Sequence, residues 1–444
     1  MESDDSADDP LPNARPSGEG AHGRTGGAGY ADGMGGPERD ERWGPDVLGE
    51  GFEQLTIPLG TDEEGEVVAT LVRALPHRSL WQRIAGDSRP LADVDVLYVH
   101  GWSDYFFQKR LARFWTDRGA RFFALDLRKY GRSLRPYQTP GYTSDLGLYD
   151  EDIAAALAEM GVVVEAGRAA TSETDAAGPA RPEAQNPSAG DAPATNAPVD
   201  AAPADGAPAD SAPADGAPAG PGAAAAQAAG RALRSGRERR LVLLGHSTGG
   251  LTLSLWAARH PGVADAVVLN SPWLEFQLPR FTRETLAPLV GLQARYRPRE
   301  RAPQLDLGYY TRAQREVADP DDPTEVNLDW RPEQTMAVHA GWLHAILAGH
   351  ATVAAGVRID APVCVLLSAR SMLPTSWSEE LTRVDSVLVV DDIARAALKL
   401  GPSVTIERID GALHDVFLSR REARADAYAR LDRWMTGWAA ANPR

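Results

Sequence analysis

Cysteine and lysine are nearly absent from this chain. One cysteine, Cys364, among 444 residues excludes an internal disulfide framework and cysteine-rich metal clusters. Only three of the 46 basic residues are lysine, namely Lys109, Lys129 and Lys399. The remaining arginines are scattered, as a GC-rich genome would leave them, and no basic run marks a nucleic-acid footprint. No stretch of about 18 apolar residues is present to span a bilayer. The start, Met1-Glu2-Ser3-Asp4-Asp5, lacks the basic and apolar regions of a secretory signal. Together these absences predict a cytoplasmic protein with no transmembrane segment and no nucleic-acid partner.

What the chain does have is negative charge, −16 in total. It is concentrated. Residues 1–50 carry −8 and residues 161–230 carry −7, so the remainder is close to neutral. Residues 1–45 are rich in Gly, Asp and Ser without periodicity and are expected to form a disordered acidic tail. Residues 165–230 contain no Leu, Ile, Phe, Trp or Tyr, and between Ala202 and Gly216 the pentad Ala-Pro-Ala-Asp-Gly/Ser recurs three times. Such a segment cannot bury enough apolar area to offset the entropy of ordering it, and is expected to be a disordered insertion.

About 330 residues remain, enough for a substantial core. They alternate between strand and helix signals. Phe52–Leu59 and Val67–Leu75 flank a turn and predict an antiparallel pair. Val96–Val99, Phe122–Leu127, Leu241–Leu244, Ala266–Leu269, Val363–Leu367 and Val404–Ile409 are short apolar strands. Phe107–Arg118, Leu148–Met160, Gly250–Arg259, Asp392–Leu400 and Arg421–Trp438 have helical spacing. This order predicts an α/β protein with a mostly parallel sheet, its core divided as 46–164, 231–277 and 359–444. Residues 278–358 interrupt the alternation with Pro-rich turns and a helical pattern over Thr335–Leu347, and are expected to form a cap. The insertion joins a helix to the start of a strand. It should therefore leave the sheet at the edge opposite the carboxyl ends of the strands, where active sites of such sheets lie.

The stretch Leu241-Val-Leu-Leu-Gly245-His246-Ser247-Thr248-Gly249-Gly250 reads as strand, Gly-x-Ser-x-Gly, helix. A serine on a sharp strand-to-helix turn needs small neighbours, and the following helix turns its free N–H groups toward a developing oxyanion. The pentapeptide alone would occur about 0.2 times by chance in a chain of this length; the flanking strand and helix make it informative. Ser247 is thus the candidate nucleophile. It needs a base and an orienting carboxylate, which follow in the order acid, then histidine. Among nine histidines, His414 alone follows the last strand. The acid should follow the Val363–Leu367 strand: Asp385 opens a short apolar run and is favoured, while Asp391 and Asp392 fit a helix N-terminus. Trp102, after His100-Gly101, and Thr248 are the candidate oxyanion donors through their backbone N–H groups, with Gly101 permitting an unusual backbone. Trp273, Trp330 and Trp342 lie in or beside the expected cap; core packing is their commoner use, and Trp273 and Trp342 are the candidate substrate-binding residues. The spacings of His339, His344 and His350 do not put them on one helical face, and no metal is expected.

The motifs Tyr98-Val-His100-Gly101, Leu125-Asp126-Leu-Arg128-x-x-Gly131-x-Ser133, Gly245-His246-Ser247-Thr248-Gly249 and Gly411-x-x-His414-Asp415 resemble those of α/β-hydrolases. The nearest likeness is the lysophospholipase and monoacylglycerol-lipase-like group, which also contains serine aminopeptidases. It covers about residues 46–444 without the insertion. The resemblance implies an eight-stranded, mostly parallel sheet flanked by helices, a helical cap, and Ser247, Asp385 and His414 as a catalytic triad. Compact members often carry Asp-x-Val-Val-Asp at the acid, where this chain reads Asp385-Ser-Val-Leu-Val389. The expected function is a cofactor-free serine hydrolase acting on a small-molecule ester or lipid, which leaves room for transient contact with a membrane surface. A serine aminopeptidase, a thioesterase, an acyltransferase or a non-catalytic binder of the same fold are the alternatives. Protein partners are left open, including whether the acidic segments recruit one.

Overall fold

The computed structural model describes residues 40–76, 89–162, 239–277, 280–304 and 306–443. Most of the expected acidic tail and all of the expected insertion lie outside the described residues.

Among the described residues, nine strands form one sheet in the order β1-β2-β3-β5-β4-β6-β7-β8-β9. The first, β1 (Gly44–Pro45), is a two-residue strand at the edge. The other eight give the mostly parallel sheet that the motifs implied. β2 (Phe52–Asp62) and β3 (Gly65–Ala74) pair antiparallel, and β3 pairs antiparallel with β5 (Arg121–Asp126). From β5 onward all pairs are parallel, through β4 (Val94–Val99), β6 (Arg240–His246), β7 (Ala266–Asn270), β8 (Val363–Ser368) and β9 (Val404–Ile409).

The central strands read as unbroken apolar runs because both faces of the sheet are covered. Their side chains alternate between the two covers. Leu97 and Val99 of β4, with Leu241 and Leu243 of β6, pack into one core. Val96 and Tyr98, with Val242 and Leu244, pack into the other. The first core is closed by α2 (Tyr149–Glu159), α3 (Thr248–Arg259), α6 (Ala340–Ala355) and α7 (Val390–Ala397). The second is closed by α1 (Lys109–Asp117) and α8 (Arg421–Ala441). Two further helices, α4 (Arg280–Tyr296) and α5 (Tyr309–Glu316), lie with α6 in the segment between β7 and β8.

Three expectations shift. The ordered fold begins before residue 45: Trp43 is buried beneath the Arg73 guanidinium, 4.0 Å away, and buried Asp46 pairs with Arg132 at 2.6 Å. The helix expected over Thr335–Leu347 starts at Ala340, because the residues before it run extended, with His339 bridging to Arg301. That helix is also part of the core. Trp342, Ile346 and Val353 are buried, and a Cβ at Gly349 would come within 2.9 Å of the Leu146 side chain.

The described residues flanking 163–238 lie at the amino ends of the strands. Arg239 pairs with Asp95 at 2.6 Å, and Arg121 donates to the Met160 carbonyl at 3.2 Å. The carboxyl ends of β4 and β6, which carry His100 and Ser247, face the other way. Among the described residues no helix is long and apolar enough to cross a membrane.

Candidate active site

Ser247 sits between β6 and α3 with φ +52° and ψ −117°, a conformation that a non-glycine residue adopts only when its surroundings enforce it. The glycines around it make room. A Cβ on Gly245 would come within 2.7 Å of the Gly250 Cα. A Cβ on Gly249 would collide with the carbonyl oxygens of Val99 and His100. The expected reason for Gly101 changes. Its φ is not positive; its hydrogen is needed because a Cβ there would stand 3.0 Å from the Ser247 Cβ. The strained residue of that loop is Ser103, at φ +54°.

His414 lies in the loop after β9, and its Nε2 is 3.1 Å from the Ser247 Oγ. Its Nδ1 is 2.9 Å from Oδ2 of Asp385, which is fully buried. The other carboxylate oxygen, Oδ1, accepts the backbone N–H groups of Val387 and Leu388, each at 2.8 Å. A carboxylate that only accepts obliges Nδ1 to carry the proton, which leaves the Nε2 lone pair facing the serine hydroxyl. Residues 369–384 make an excursion beyond β8, and two backbone bonds, Asp385 N–H to Arg370 O and Met372 N–H to Asp385 O, return the chain to place this aspartate. Asp391 and Asp392 go elsewhere. Asp391 pairs with Arg408 at 2.6 Å, and Asp392 pairs with Arg395 in the first turn of α7.

Neither backbone N–H of Trp102 and Thr248 finds an acceptor among the described residues. Both residues line a cavity of about 460 Å³, or stand next to residues that do, at the foot of which lie Ser247 and His414. Trp273 and Trp342 line it too, with ring centroids 6.1 Å apart, and the Trp342 ring lies tilted against that of Trp102 with centroids 3.8 Å apart. Val387 and Leu388 extend this apolar part, while Asp104, His246, Tyr310 and Arg331 form a polar part. Trp330 is not in the lining; it packs edge-on against Tyr105. The three histidines of the β7–β8 segment part company. His339 meets the Arg299 carbonyl, His350 meets the Trp273 carbonyl, and His344 stands near Gly291. Among the described residues no group of three or more His, Cys, Asp or Glu is arranged to hold a metal.

Several residues at the site carry no local sequence signal. The Asp415 carboxylate accepts from Asn270 Nδ2 and Gln108 Nε2, both at 2.7 Å, while Asn270 Oδ1 accepts the Val416 N–H. Buried Asp104 pairs with the partly buried Arg331 at 2.9 Å. The His246 ring lies 5.1 Å from that of His414, and its Nδ1 donates to the Asn270 carbonyl. The Asp of the Gly-x-x-His-Asp motif was the one visible hint of this network.

Burial lowers the pKa of His100 and of His246 below the usual 6.5. Below pH 6.5 the unfolded chain therefore binds protons that the folded chain refuses, so these groups stabilise the fold at neutral pH and that stability is lost on acidification. Asp152, lifted by burial to about 6, acts in the opposite sense and offsets part of the loss. The unfolding free energy from urea titration is expected to fall between pH 7 and pH 6. A stability that stays constant or rises over that range contradicts this assignment.

Residues 225–373 match a family model described as serine aminopeptidase, S33. Comparison with curated proteins gives no match. Among solved structures the chain is similar to a monoacylglycerol lipase from Paleococcus ferrophilus, with 16% identity, 78% of this chain and 94% of that one covered, and a TM-score of 0.47. It is likewise similar to a soluble variant of monoglyceride lipase from Saccharomyces cerevisiae, with 14% identity, 86% and 94% covered, and a TM-score of 0.49.

Proposed function

We propose that this chain, an α/β-hydrolase, is a serine hydrolase that cleaves carboxylic esters of lipid-like substrates through an acyl-enzyme on Ser247. His414 removes the Ser247 proton as Oγ attacks the ester carbonyl. Asp385 holds the imidazole in the competent tautomer and stabilises the imidazolium that forms. The N–H groups of Trp102 and Thr248 receive the oxyanion. Collapse of the tetrahedral intermediate expels the alcohol with the proton from His414. Water, deprotonated by His414, then attacks the acyl-enzyme and releases the carboxylic acid.

The observation that carries this reading is the unbroken hydrogen-bonded line from Ser247 through His414 to Asp385, at 3.1 and 2.9 Å. The cavity favours uncharged, partly apolar substrates. Trp273, Trp342, Val387 and Leu388 offer an acyl chain an apolar wall, and the arginine in the lining is already neutralised by Asp104. The family model favours a second reading, aminopeptidase, in which the same residues cleave an amide.

Hydrolysis of a monoacylglycerol and of an aminoacyl-naphthylamide, compared by kcat/KM, separates the two. The ester is expected to be the better substrate by at least roughly tenfold, about 1.4 kcal/mol in transition-state binding. A preference for the amide would replace the first reading by the second.

A further inference from the structure

The β7–β8 segment reaches the histidine loop through α5, where Leu413 packs with Ala313 and Val317 and Tyr310 meets His414 and Asp415. Tyr310, near the start of α5, lies edge-on to the His414 ring with centroids 5.6 Å apart, and its hydroxyl accepts the Asp415 backbone N–H at 3.1 Å. A second donor arrives from the same helix. Gln314 Nε2 is 2.8 Å from the Tyr310 hydroxyl, while Gln314 Oε1 is 2.7 Å from Arg331 Nη2. A guanidinium only donates, so the amide orientation is fixed: oxygen toward Arg331, nitrogen toward Tyr310. The phenol oxygen therefore accepts two hydrogen bonds, one from the residue next to His414. Arg331 continues the line to Asp104, two residues beyond Trp102, with an ion pair at 2.9 Å.

We propose that Tyr310 is a positioning residue for His414, through which the β7–β8 segment holds the histidine loop in register with Ser247. This rests on the reading of His414 as general base. Gly411, three residues before His414, has φ +70° and brings no side chain, so the loop is held by contacts of Leu413 and Asp415, and Tyr310 adds the one on the backbone beside His414. A buried backbone N–H does not stay unpaired without cost; deprived of the phenol, Asp415 shifts until it finds an acceptor, and His414 shifts with it. Displacements well under 1 Å at a general base are enough to slow proton transfer substantially. Burial also keeps the phenol un-ionised, its pKa well above the usual 10, so the oxygen presents the same acceptor at every working pH.

The test is Tyr310→Phe in the full chain, which keeps the ring on His414 and removes one oxygen. Wild-type protein is first titrated with a fluorophosphonate; absence of any Ser247 adduct there fails the underlying reading and this proposal with it. Given an adduct, kcat per titrated site on a p-nitrophenyl ester is expected to fall about tenfold in the variant with KM within twofold. Gln314→Ala removes one donor only and is expected to lower kcat about two- to threefold, by the same route. The double variant should then be no slower than Tyr310→Phe alone. A Tyr310→Phe enzyme whose kcat per titrated site equals wild type overturns the proposal, and so do losses that multiply in the double variant. If Tyr310→Phe does not fold, Gln314→Ala decides: an unchanged kcat per titrated site overturns the proposal.

Discussion

Ester turnover is expected to fall by roughly 10⁴-fold or more in Ser247→Ala, with the fold retained. Alanine keeps the Cβ, so the φ of +52° at the elbow is no harder for it than for serine. What is lost is the nucleophile and one hydrogen bond to His414 Nε2, which faces a cavity and can be satisfied there by water. Circular dichroism and the urea midpoint should therefore stay close to wild type while activity disappears. Retention of more than about 1% of turnover would contradict the assignment of Ser247, since residual catalysis by binding and oxyanion donors alone is far below that level.

The second large effect is expected at Asp385, and its direction follows from hydrogen-bond polarity. In Asp385→Asn the Val387 and Leu388 N–H groups still require an oxygen at the Oδ1 position. The amide NH₂ must then face His414 Nδ1, where it can only donate. The imidazole is driven to carry its proton on Nε2, which turns the general base into a donor toward Ser247. Loss of kcat by about 10⁴-fold is expected, as for other triads whose acid becomes an amide. Asp391→Asn should stay within about twofold, because Asp391 is engaged with Arg408 at the surface. The opposite ranking of the two variants would move the acid away from Asp385.

Much of this site is local and therefore legible in the sequence. The elbow declares itself because its requirements are short-range: a buried strand, two glycines that a Cβ would ruin, and a helix. His414 follows from chain order alone. Asp385 is harder, because it sits at the far end of an excursion from β8 and its placement depends on two backbone bonds to Arg370 and Met372 that composition does not encode. Gly101 is identified by sequence for a different reason than the structure gives, since close approach and positive φ both select glycine. The helix α6 looked like cap because it follows Pro-rich turns, yet its apolar surface on several sides belongs to the core. Tyr310, Gln314 and Arg331 are out of reach of any window along the chain. They meet Asp415 and Asp104 only through folding, across about 100 residues and more.

The fold-level charge pattern has a simpler outcome. Residues 1–50 and 161–230 together carry −15 of the −16, and at the site Asp104 pairs with Arg331 and Asp385 with His414.

The most direct measurement is the site and rate of modification by a fluorophosphonate, mapped by peptide mass spectrometry in wild type and in His414→Ala. One adduct is predicted, on Ser247, with its rate of formation reduced at least about 100-fold when the imidazole is removed. An unmodified Ser247, an adduct on another residue, or a rate indifferent to His414 would contradict the account.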